Sequence, residues 1–153
     1  MRRASLLVLV ALAAGGCGGS GGDGGGGGGE RLSRADYASK ADAICRKYNR
    51  KTQSLGRVRN LSELAKAFDK ALPILEDALA EPGTLKPPES EQGTVSRWLA
   101  QSQVLKRDLE QIRDRAKAKD MKSVQSLFAK ATRDDQRGNE LAKQLGMKVC
   151  SKG

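Results

Sequence analysis

Few residues in this chain are of a type that does chemistry. It has no histidine and three cysteines, Cys17, Cys45 and Cys150. Without histidine there is no Ser-His-Asp or Cys-His arrangement for nucleophilic catalysis. There is also no Glu-x-x-His pair for a di-iron bundle and no histidine-based zinc site. Carboxylate or cysteine chemistry remains open in principle, but no spacing marks it, so the expectation is a non-enzyme with no cofactor and no metal. What is left is the covalent chemistry of thiols, acylation and disulfide formation. An odd cysteine count in an exported protein asks for one thiol to be used differently from the others.

The residues before Cys17 supply that difference. Arg2 and Arg3 precede an uncharged, mostly apolar run of 11 residues, Ala4 to Ala14. The run is short of the roughly 20 residues that cross a bilayer and has the size of a removable signal core. It leads into Ala14-Gly15-Gly16-Cys17, which resembles the end of a bacterial lipoprotein signal peptide. That resemblance implies cleavage between Gly16 and Cys17 and a diacylglyceryl thioether on Cys17. The sequence departs from the usual pattern at Ala14, where leucine is common, with Leu12 the nearest leucine. Plain secretion is the alternative, because Ala11-Leu12-Ala13 offers an A-x-A-like cleavage site. Lipidation of Cys17 resolves the parity by leaving Cys45 and Cys150 to pair in an oxidising compartment. Two unpaired cysteines buried as small hydrophobes are the other reading.

Composition then divides the chain. Twelve of its 18 glycines fall within residues 15–29, a tract with no side chains to bury, which is expected to be a disordered tether. Such a tether spans roughly 20 Å on average and at most about 40 Å. The expected organisation is a signal peptide over 1–16, a lipid-anchored linker over 17–29 and one domain over 30–153. Residues 17–153 hold 26 Lys and Arg against 18 Asp and Glu, a side-chain charge of +8.

Helical periodicity fills the domain. Ser33 with Asp36 opens a first helix whose apolar face is Tyr37, Ala41, Ile44, Cys45, Tyr48 and Leu55, with Gly56 in place to end it. Asn60 with Glu63 forms a capping-box start to a second helix, striped by Leu61, Leu64, Phe68, Ala71, Leu72, Leu75 and Leu79. Pro73 predicts a kink or break there. Pro88, Glu89 and Glu91 start the third helix, with Val95, Trp98, Leu99, Ser102, Leu105, Leu109, Ile112 and Ala116 inward. Asp120 caps the fourth, which buries Val124, Leu127, Phe128, Ala131, Gly138, Leu141, Ala142 and Leu145 and ends at Gly146. Asp135 lies near this stripe and is expected to be slightly rotated and solvated; a buried, paired carboxylate is the alternative. The absence of strand-like alternation and the short connections predict an all-α, antiparallel up-down four-helix bundle. In it the tail can fold back along the first helix and carry Cys150 to Cys45.

Ala41-Asp42-Ala43-Ile44-Cys45, Leu85-Lys86-Pro87-Pro88, and Leu145-Gly146 followed by Cys150 resemble a group of small helical lipoproteins and secreted proteins of actinobacterial type. The likeness implies a fold and a location. It implies no activity.

Candidate binding features are therefore surfaces. Arg113, Arg115, Lys117, Lys119 and Lys122 cluster about the turn between the third and fourth helices, and Arg46, Lys47, Arg50 and Lys51 form a second basic group. Outside the cytoplasm such charge suits anionic lipid or an acidic wall polymer rather than nucleic acid, and the plainer reading is a solvated face. Trp98, Tyr37 and Tyr48 fall on apolar stripes and are expected to pack, the tyrosine hydroxyls reaching the rim. The functional expectation is a lipid-anchored helical module that binds or scaffolds an unknown envelope partner; the alternative is a carrier of a small apolar ligand in the bundle core. Intact mass of the membrane-extracted protein tests the address. Residues 17–153 plus a diacylglyceryl group are expected, and an unmodified chain beginning near Ala14 would overturn it.

Overall fold

The computed structural model describes residues 30–53, 55 and 57–152. The expected signal, lipid attachment at Cys17, glycine tether and Gly56 helix stop lie outside the described residues. Four helices follow in order, α1 (Arg34–Gln53), α2 (Leu61–Gly83), α3 (Gln92–Lys117) and α4 (Met121–Gln144), with short 3₁₀ turns at Glu89–Glu91 and Cys150–Lys152. No described helix is long and apolar enough to cross a membrane.

Local chemistry explains the boundaries. The Ser33 hydroxyl accepts the Asp36 N–H at 3.1 Å, and Asn60 Oδ1 accepts the Glu63 N–H at 2.9 Å. Glu63 reaches back to the Arg59 N–H at 2.9 Å, one residue before the position a capping box uses. Asp120 Oδ1 accepts the Ser123 N–H at 3.0 Å. The α4 end is a Schellman closure, with Gly146 N–H on Lys143 O and Met147 N–H on Ala142 O. Gly146 takes φ +81°, the left-handed conformation that closure needs. The α3 end repeats the pattern through Lys119 and Asp120 N–H groups on Ala116 and Arg115 carbonyls, with Lys119 itself at φ 58°.

Three expectations change. The first helix ends at Gln53 and leaves Leu55 in a turn. The third helix proper begins at Gln92, because Glu89–Glu91 is a 3₁₀ turn. Pro73 does not break α2, which runs from Leu61 to Gly83. Pro73 and Asp69 are both exposed, so the Asp69 carbonyl that loses its helical donor can face water.

Contacts run between consecutive helices, with α3 central between α2 and α4. The core is in two parts. One joins Tyr37, Ala38 and Ala41 of α1 to Val95, Trp98, Ala142, Leu145 and Met147. The other joins Ala65, Ile112, Ala116, Val124 and Ala131 and contains no α1 residue. The register of α1 accounts for this. Leu32 N–H bonds Lys86 O at 2.9 Å, and Lys47 Nζ reaches Glu81 at 2.8 Å. α1 therefore lies beside the second half of α2 and leaves the first half to a three-helix core.

The tail folds back as expected. Cys45 and Cys150 are bonded with Cα atoms 5.4 Å apart, closing 105 residues of chain. Asp42, buried at 7% exposure, accepts N–H bonds from Lys148, Val149 and Cys150 at 2.8, 2.8 and 3.0 Å. A loop of this length is worth about 4–5 kcal/mol in the chain-entropy argument. Reduction, or Cys45→Ala with Cys150→Ala, is expected to lower the calorimetric midpoint by roughly 10 °C or more; an unchanged midpoint would show that the bridge closes an already rigid contact.

Candidate functional site

Between the two core clusters the helices leave a cavity of about 190 Å³. α1 contributes Cys45, Tyr48, Asn49 and Thr52, and α2 contributes Ile74, Leu75, Ala78 and Leu79. Trp98, Gln101, Ser102 and Leu105 come from α3. Asp134, Asp135, Gly138 and Asn139 come from α4, while Val149 and Cys150 of the tail complete the wall. The space arises where α1 passes from the first cluster to its own end, beyond the reach of the second. Its wall is mostly apolar, and the disulfide forms part of it. The mouth is polar, since Asn49 and Thr52 are exposed.

Several polar groups of the wall are held by neighbours. Ser102 Oγ donates to Trp98 O at 2.9 Å, turning its hydroxyl back on its own helix. Tyr48 OH donates to Glu81 at 2.9 Å, so its hydroxyl does reach the rim, and the Lys51 ammonium stands 4.6 Å from the ring centroid. Burial and the Glu81 contact push the Tyr48 phenol up, and the hydrogen bonds from Lys47 and Tyr48 hold Glu81 below the usual carboxylate range. Asp135 Oδ2 accepts from Asn139 at 2.9 Å and is half-buried.

Asp134 is the carboxylate that periodicity placed one residue away. It is 5% exposed and accepts from Lys130 at 2.9 Å, Arg137 at 3.0 Å and Gln101 at 3.4 Å. Gln101 also donates to the Asp134 carbonyl at 3.0 Å. Lys130 bonds Asp108 as well, and Asp108 is 1% exposed. The Lys130 hydrogen bond is the main reason that Asp134 titrates at about 2 rather than near 3.8, and burial opposes it. The sequence signal for both was register. Asp108 is three residues past Leu105 and four before Ile112, and Asp134 is three past Ala131; only their charge argued for the outside.

No family model, curated protein or solved structure matches the chain.

The sequence-derived candidates are distributed, not convergent. Cys45 and Cys150 lie at the cavity; Gly16 and Cys17 lie outside the described residues. Trp98 serves both core and cavity, at 6% exposure. Tyr37 departs from expectation, for its hydroxyl is buried with no partner among the described residues, and burial pushes its phenol up to about 12. Of the basic cluster, Arg113 pairs with Asp114 and Asp69, and Lys117 pairs with Asp69. Arg115, Lys119 and Lys122 are exposed and remote from the cavity, at the turn between α3 and α4. Among the described residues no group of three Cys, Asp or Glu side chains is placed to hold a metal. A second, more open depression of about 550 Å³ runs over α1 and residues 145–148, but its one carboxylate, Asp42, is committed to the tail.

The arrangement can desolvate an apolar body and offer a hydrogen bond at the mouth. Its α4 wall depends on charged Asp134. A pKa held below the unfolded value means that this carboxylate contributes stability above about pH 4 and loses it as pH falls toward 2. Asp134→Asn is therefore expected to lower the urea midpoint at neutral pH, with the gap to wild type closing between about pH 4 and 2. A gap that does not change with pH would remove the charge as its cause.

Proposed function

We propose that this chain is an extracytoplasmic, lipid-anchored helical module that holds a small, mostly apolar molecule in the cavity between its helices. The observation that carries the reading is the 190 Å³ space walled by Ile74, Leu75, Ala78, Leu79, Trp98 and Leu105 in an otherwise packed bundle. The space opens to solvent at its polar mouth, and an apolar cavity of about 150 Å³ suffices for benzene. Drug-sized ligands occupy about 300–1,000 Å³, so the ligand is of single-ring or short-chain size. Its polar atom, if it has one, meets the amides of Asn49 or Asn139 near the mouth. The likeness of the N-terminus to a lipoprotein signal supports the location, as does a disulfide closed across the domain, which suits an oxidising compartment. A general scaffold role has no such geometric support, and no part of the cavity offers a nucleophile with its base.

Trp98, the only tryptophan, is a built-in reporter. Titration with benzene, toluene, ethylbenzene and hexanol is expected to give a saturable change in its emission. At ten times Kd the complex gains roughly 1.4 kcal/mol, a rise of several degrees in Tm. Ala78→Phe, which fills the space, is expected to abolish both responses while preserving the helical circular dichroism. If none of the four probes moves either the emission or the midpoint, the cavity is not a ligand site.

A further inference from the structure

We infer that the end of the bundle opposite the start of α1, formed by the segment entering α2 and by the α3–α4 turn, docks on an anionic lipid bilayer. Residues 57–70 and 113–122 carry 9 Lys and Arg against 4 Asp and Glu, a net +5 in 24 residues. The other 100 residues of 30–153 carry 17 against 13, only +4. The two stretches are one surface in the fold, because Lys117 Nζ meets Asp69 at 2.8 Å and Leu61, Leu64 and Phe68 pack on the cluster of Ile112, Ala116 and Val124.

The acids of this end are already engaged. Glu63 pairs with Arg59, Asp69 with Lys117 and Arg113, and Asp114 with Arg113, while Asp120 caps α4. Arg57, Lys66, Lys70, Arg115, Lys119 and Lys122 remain exposed and make no ion pair among the described residues. The sequence pointed to the α3–α4 part of this group; its partner stretch on α2 is supplied by the fold.

A second observation selects the occupant. The large hydrophobic side chains exposed among the described residues are Val58 at 42%, Met121 at 50% and Phe128 at 39%. All three belong to this end. Val58 and Met121 stand among the cations at the tip, and Phe128 is seven residues farther along α4, about 10 Å back. Single exposed apolar side chains are ordinary; their gathering among unpaired cations is not. A soluble polyanion would use the charges alone. A bilayer uses both, since basic residues are drawn to anionic headgroups and apolar tips sink about 5–10 Å into the interface.

Vesicle co-sedimentation of the full chain tests this independently of the cavity. The N-terminal segment is common to all forms, so the quantity read is the ratio of binding to vesicles of one-third phosphatidylglycerol in phosphatidylcholine over phosphatidylcholine alone. Arg115→Gln, Lys119→Gln and Lys122→Gln together are expected to cut that ratio on the order of a hundredfold, about fivefold per charge. Lys86→Gln, Lys143→Gln and Lys152→Gln, the same charge removed at the other end, are expected to leave it within a few fold. Met121→Ser is expected to weaken vesicle binding severalfold and leave binding to soluble polyphosphate unchanged. Equal losses from the two triple variants would reduce the effect to net charge. A wild-type ratio in the first triple, or no effect of Met121→Ser on vesicles, would overturn bilayer docking.

Discussion

The closure of the tail onto α1 is the constraint on which the rest depends. Asp42 takes three successive N–H groups of residues 148–150, and one turn later Cys45 is bonded to Cys150. A buried carboxylate is costly unless its lone pairs are used, and these backbone donors would otherwise be left open where the tail turns back. The two devices solve each other's problem and bring the ends of the chain's folded part together. α1 has no place in the second core cluster, so its position is set by the first cluster, by Glu81 of α2 and by this clamp.

Because α1 is held at that level, the molecule is a four-helix bundle over one half of its length and a three-helix bundle over the other. The cavity sits at the change from one to the other. It is bounded by the disulfide on one side and by the α4 charge network on another. That network also has an economy of placement. Lys130 serves Asp108 and Asp134 at once, and its head stays half-exposed while both carboxylates are buried. Such an arrangement keeps α3 and α4 in one register, since a shift of either helix by one residue would strand a buried charge. The proposed ligand site and the proposed docking end thus occupy different levels of one asymmetric bundle, the first lined by α1 and the second beyond its end.

Much of the fold was legible because its signals are local. Ser33, Asn60 and Asp120 start helices by accepting N–H groups three residues on. Gly146 ends one through a left-handed residue, and the 3.6-residue spacing of Leu, Ile and Ala identifies the inward faces. The pairing of Cys45 with Cys150 followed from parity and from antiparallel topology together. The misreadings have equally local causes. Asp135 was expected to be solvated and is half-buried, while its neighbour Asp134, with Asp42 and Asp108, lies buried at a core-facing register that no expectation named. A kink or break was expected at Pro73, and no break occurs, since an exposed carbonyl can replace its lost donor with water.

By itself the sequence determined the four helices, the caps at Ser33, Asn60, Asp120 and Gly146, the disulfide and the basic character of the chain, since these depend on residue type and on spacings within a few turns. Only the tertiary structure decided how far along α2 the first helix lies, and with it the cavity, the two cores and the gathering of unpaired cations with Val58, Met121 and Phe128. Helix register is set by summed packing and by pairs such as Lys47–Glu81 and Asp42 with the tail, which are distant in sequence. No local pattern encodes those distances, because the same amphipathic stripes would pack nearly as well one turn higher or lower.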